Sequence, residues 1–129
     1  MTSNRELRAL LREDTRKFIV ALARNFHSLR SWKLEPWDAL AFRSMIPGRS
    51  HGEKCAARFV LAVWNTGTDW DDPQLVAEWV KETGASEQTL GWDPLTMKVG
   101  KFDVVDALGV WDDDNRAAFI EWAKDPIWP

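Results

Sequence analysis

The sequence predicts an all-α fold: one compact bundle of about five to seven helices, spanning residues 1–129 as a single domain. A long N-terminal helix and a buried central helix near 51–64 are its expected landmarks. Three observations carry this. Apolar residues recur at helical spacings, two serine–glutamate capping boxes open apolar stretches, and period-two alternation never persists, so no strand is expected.

Ser3-Asn4-Arg5-Glu6 is the first capping box, in which hydroxyl and carboxylate each take up an orphan backbone N–H. Leu7, Leu11, Phe18, Leu22 and Leu29 then follow at steps of 4, 7, 4 and 7. That stripe stays on one face of a rod over roughly residues 4–30. Arg5, Arg8, Arg12 and Arg16 line another face of the same rod, at steps of 3, 4 and 4. Pro36 suits the first turn of a short helix running to about Met45, and Pro47-Gly48 ends it.

Ser50-His51-Gly52-Glu53 is the second capping box. The helix it opens is apolar nearly all round (Cys55 to Ala57, then Phe59 to Trp64), as a central, buried helix must be. Asn65 to Asp69 is loop chemistry. Asp72-Pro73 starts a helix in which Leu75, Val76, Trp79 and Val80 share a face, and Gly84 stops it. Residues 85–93 read as irregular, Asp93-Pro94 as the start of a short turn that Gly100 ends. Phe102, Val105 and Leu108 suggest another short helix, and Asp112 to Asp114 cap a last one carrying Ala118, Phe119 and Trp122 up to Asp125-Pro126.

Composition narrows the function classes. Hydrophobic residues make up 45% and charged residues 29%, a globular balance that argues against disorder. Cys55 is the single cysteine, so an intramolecular disulfide is excluded. Arg5 and Arg8 interrupt the start, so no secretory signal is expected, and no apolar run approaches the ~18 residues of a membrane span. The expected compartment is the cytoplasm. Net charge is −3, but residues 1–30 carry +4 and residues 31–129 carry −7, an asymmetry that bears on partners rather than on fold.

His51-Gly52-Glu53 has the H-x-E form of a zinc deaminase but lacks the later C-x-x-C pair, and Glu53 is explained by the capping box. Cys55 reads as a small core thiol rather than a nucleophile. The clusters Asp69/Asp71/Asp72 and Asp112/Asp113/Asp114 fail the calcium-loop pattern, since Pro73, Val80 and Ala123 fall where oxygen ligands belong. They read as helix caps. No metal, no cofactor and no enzymatic activity are therefore expected.

The chain has nine Trp, six Phe and no Tyr. Trp64, Trp79, Trp111 and Trp122 sit among apolar neighbours and are expected in the core, whereas Trp32, Trp70, Trp92 and Trp128 fall in loops or the tail. This leads to a protein-interaction or regulatory module, binding a partner protein or a second copy through Trp70, Asp71, Asp72, Trp92 and Trp32. The alternative is nucleic-acid or phosphate-ligand binding. It rests on Arg5, Arg8, Arg12 and Arg16 together with a second basic stripe of Arg49, His51, Lys54 and Arg58, with Gly52 offering a backbone N–H. Glu53 would repel an anion there, and helix 51–64 is too apolar to enter a groove. A third possibility is a dispersed site in which Asp103, Asp106 or Glu121 meets His27 or His51 in space.

Overall fold

A computed structural model describes residues 1–84 and 98–129. Among these residues there are seven α-helices, one 3-10 turn and no strand: α1 (Asn4–Glu13), α2 (Thr15–Asn25), the turn His27–Leu29, α3 (Ala39–Ser44), α4 (His51–Trp64), α5 (Pro73–Thr83), α6 (Val104–Val110) and α7 (Asp113–Ala123). The all-helical expectation holds. Every helix starts on a side-chain cap: Ser3 and Ser50 for α1 and α4, and Asp14, Asp38, Asp72, Asp103 and Asp112 for the other five. Five aspartates thus satisfy orphan N–H groups at helix starts, where they also oppose the helix dipole.

The long N-terminal helix is corrected to a hairpin. Asp14 is extended (φ −161°, ψ 120°); it closes α1 and caps α2 through its carboxylate and the Arg16 N–H, 2.9 Å away. A carboxylate two residues ahead of its donor offers the backbone an alternative to the next helical bond, and the chain turns there. The Thr2 N–H donates to Asn25 Oδ1 (2.7 Å) and Asn25 Nδ2 donates to the Thr2 carbonyl (2.9 Å), so α1 lies back along α2. The apolar stripe survives because Leu7, Phe18 and Leu22 all reach the core from the two arms.

The second helix is also shorter than expected. It begins at Ala39, not at Pro36, because Asp38 Oδ1 accepts from the N–H groups of both Leu40 and Ala41; Pro36 follows a cis peptide bond outside the helix.

Helix α4 occupies the span the sequence indicates, and Cys55, Ala56, Ala57, Phe59, Val60, Leu61 and Val63 are buried along it. The Phe59 ring is the hub of the core. It meets Phe26 (5.4 Å), Phe102 (5.3 Å), Phe119 (5.4 Å) and Trp122 (4.9 Å), the last three edge-on, the arrangement aromatic quadrupoles prefer. Trp111 is fully buried against Phe26 and Phe119, and its indole N–H donates to the Gly52 carbonyl at 3.1 Å. That bond ties the end of α6 to the start of α4.

A second tie joins the loop before α5 to α3. The buried Arg43 guanidinium donates to the Trp70 carbonyl (2.9 Å) and to Asp71 (3.2 Å), while Asp71 also accepts from the N–H groups of Val99 (2.7 Å) and Gly100 (2.9 Å). Gly100 has φ 78°, and a Cβ there would stand 3.3 Å from the Arg58 guanidinium, so glycine is required at this crossing. Helix α5 turns Val76 and Trp79 inward and ends at the left-handed Gly84, as expected. Trp92 and the turn expected from Asp93-Pro94 lie outside the described residues. Among the described residues no helix is long and apolar enough to cross a membrane.

Candidate functional site

Most of the residues that the sequence suggested for partner binding are used internally. Trp32 is 3% exposed; its indole N–H donates to Glu53 (3.1 Å) and the Arg49 guanidinium covers its ring at 4.4 Å. Burying an indole's apolar body stabilises more than leaving it at a loop surface, provided its N–H is satisfied, and Glu53 satisfies it. Glu53 stays below its ordinary pKa: burial works against this, but the bonds from Trp32 and Ser50 outweigh it. Trp70 is half-buried against the core, Asp71 belongs to the Arg43 tie, and Asp72 caps α5.

The anion stripe is dispersed too. Because the chain turns at Asp14, Arg16 leaves the face that Arg5, Arg8 and Arg12 share on α1. Arg8 pairs with Asp125 (2.7 Å), Arg49 with Glu53 (3.7 Å), and Arg58 donates to the Val99 carbonyl. Lys54 is half-buried, and the Gly52 carbonyl is engaged by Trp111. Basic side chains do gather around a cleft of about 490 Å³ between α1, α2 and Glu35–Trp37, where Arg16, Lys17 and Arg24 line an apolar floor. Each has a carboxylate beside it (Asp14, Glu13 and Glu35 respectively), so the cleft carries little net field.

Two histidine–aspartate pairs form across the fold. His27 Nε2 lies 2.5 Å from Asp112, and His51 Nε2 lies 2.7 Å from Asp106 Oδ2. The second fulfils one of the convergences considered for a dispersed site, and it brings in a third group. Cys55, one helical turn after His51, points its Sγ at the same Asp106 oxygen at 3.5 Å. All three side-chain ligand atoms lie within 4.8 Å of one another. His51 and Cys55 share a face of α4 because they are four residues apart, and Asp106 comes from α6, which the Trp111–Gly52 bond holds against that end of α4.

The chemistry of this cluster follows from its order. In a cysteine–histidine–carboxylate relay the imidazole stands between the other two; here the carboxylate does, receiving from both. Burial, and then Asp106, push the Cys55 thiol up to about 11, so it is a proton-holding donor and not a thiolate nucleophile. Asp106 is held below the usual carboxylate range chiefly by the His51 hydrogen bond. A thiol, an imidazole and a carboxylate around one point form a donor set able to hold a metal ion.

The same helix carries a feature the sequence reading missed. Val105 is 79% exposed, Val104 and Val110 40%, and Leu108 37%. Phe102, Val105 and Leu108 signal the helix, but Val105 and Leu108 face out; Ala107 is the buried position and Asp106 faces α4. The legible sign was the composition of Val104–Val110, whose one charged residue is Asp106. No protein-family model, curated protein or solved structure matches the chain.

Proposed function

We propose that the protein is a docking module that presents α6 to a partner protein with an apolar groove and a basic rim. The observation that carries this is the outward face of α6, where Val104, Val105 and Leu108 stand in water on an ordered helix. Covering such a face in a complex is worth about 25 cal/mol per Å² of apolar surface, and a short helix with anchors one turn apart suits helix-in-groove recognition. The charge pattern supports the choice of occupant. Asp103 precedes the helix and Asp112, Asp113 and Asp114 follow it, all exposed, so a positively charged rim complements this surface. The interaction reading of the sequence is retained, with its carrier moved from the loop tryptophans to α6. The phosphate-binding alternative takes second place, because Arg8, Arg49 and Arg58 each have a partner within the chain.

The test compares the wild-type chain with the double variant Val105→Asp, Leu108→Asp as bait, with binding then reconstituted from purified components. The side chains are exposed, so the variant keeps its fold. The expected result is a partner whose affinity falls at least tenfold in the variant and weakens with added salt. A partner bound equally well by the variant overturns the reading, as does a homodimer that the variant dissolves, because then the occupant is a second copy.

A further inference from the structure

We propose that His51, Cys55 and Asp106 form a binding site for a divalent metal ion of the zinc class. The proposal stands whether or not α6 docks a partner. It rests on three different donor types from two packed helices converging on one point, with ligand atoms mutually within 4.8 Å.

The donor set selects the metal. Imidazole nitrogen with thiolate sulfur suits borderline-soft ions, and one carboxylate oxygen completes a set typical of zinc but not of calcium or magnesium, which take oxygen shells. The spacing fits as well. Tetrahedral coordination with Zn–N about 2.0 Å and Zn–S about 2.3 Å places ligand atoms roughly 3.3–3.6 Å apart. The Cys55–Asp106 separation of 3.5 Å already matches, while His51–Asp106 at 2.7 Å must open by under an ångström. His51 and Asp106 are the half-exposed members and have room for that adjustment, whereas Cys55 is fixed in the core. The two ligands on α4 sit four residues apart, the helical spacing that aims two side chains at one ion.

Coordination is balanced in charge and protons. The ion takes lone pairs from Nε2 of neutral His51, from Sγ and from an Asp106 oxygen. The thiol proton leaves to solvent, and the imidazole proton resides on Nδ1, so the thiolate and carboxylate neutralise the dication. Arg58 flanks the site: it donates to the Val99 carbonyl and stands close enough to Cys55 and Asp106 to favour their charged forms. With three protein ligands and a half-exposed rim, the fourth position faces solvent and accepts water or a ligand atom from outside.

The experiment uses the full chain, reduced with a phosphine and stripped with a chelator. Zinc is titrated against a chromophoric competitor, and cobalt(II) is added as a spectroscopic probe. The expected result is one equivalent of zinc per chain, and a thiolate-to-cobalt charge-transfer band with visible bands of tetrahedral intensity. Cys55→Ser abolishes the charge-transfer band; Asp106→Asn and His51→Ala each weaken zinc binding by tenfold or more; His27→Ala, at the other histidine–aspartate pair, changes neither. The cobalt spectrum of the unaltered chain decides the matter even where a variant fails to fold. A wild-type cobalt complex without the thiolate band overturns the proposal, as does zinc affinity indifferent to folded Cys55→Ser and Asp106→Asn chains.

Discussion

Asn25 and Thr2 exchange two hydrogen bonds, 2.7 and 2.9 Å long, across 23 residues of chain. This pairing decides between a rod and a hairpin at the N-terminus. Asn25 is 7% exposed, so its replacement by Ala strands the Thr2 backbone groups beside the core. The expected loss in urea unfolding is about 1–3 kcal/mol. An unchanged stability contradicts the hairpin.

Asp71 is a structural carboxylate, since it gathers Arg43, Val99 and Gly100 at one point. Arg43 is buried, and burial lowers its pKa, so its charge depends on this partner. Asp71→Ala leaves that charge uncompensated, and its cost is about 3–5 kcal/mol. Asp72→Ala, next to it, removes only the cap of α5 and costs about 1 kcal/mol. Chemical unfolding of both variants checks this; equal effects contradict the assignment.

Phe59 carries the aromatic core, with ring contacts to Phe26, Phe102, Phe119 and Trp122. Phe59→Ala opens a cavity at this hub and destabilises by about 3–5 kcal/mol. Near-ultraviolet circular dichroism of the tryptophans reports the same variant as a loss of fixed environment around Trp122. A cost under about 1 kcal/mol, the range of volume-conserving or surface changes, contradicts the central place of this ring.

Asp112 is expected to respond to acid. Its carboxyl is held below the ordinary range first by the Asn115 backbone N–H and then by His27. The unfolded carboxyl titrates near ~3.9. A native pKa below that value means the contribution is present above about pH 4 and is lost as pH falls through the native pKa. Asp112→Asn keeps a capping oxygen but removes the charge. Its melting temperature therefore trails the wild type at about pH 5.5, and the gap narrows toward about pH 3. A gap that widens on acidification contradicts a native Asp112 carboxyl held below the ordinary range.

Local chemistry was the legible part of this chain. The Ser3 cap, the Ser50–Glu53 box, the Asp72-Pro73 start and the Gly84 stop each act within one helical turn and appear where their residues indicate; of the two expected boxes, Ser50–Glu53 is the one that closes in both directions. The break at Asp14 was not legible, because steps of 4 and 7 between Leu7 and Leu22 fit one rod or two arms equally. Only the contact of Thr2 with Asn25 separates them. The His51–Cys55 half of the donor cluster was visible as an i, i+4 pair, but Asp106 joins it from 55 residues beyond His51, a distance no local spacing encodes. The indole of Trp32 misled for a related reason. Loop position sets where an indole starts, while apolar area and the fate of its N–H decide where it packs.

The proposed docking surface is the outward face of α6, where Val104, Val105 and Leu108 are exposed. Amide hydrogen exchange of the chain, alone and saturated with its reconstituted partner, tests this most directly. The account predicts new protection centred on Val104–Val110 and reaching the adjoining start of α7. Protection confined to the loop around Trp70, with α6 exchanging as in the free chain, would contradict it.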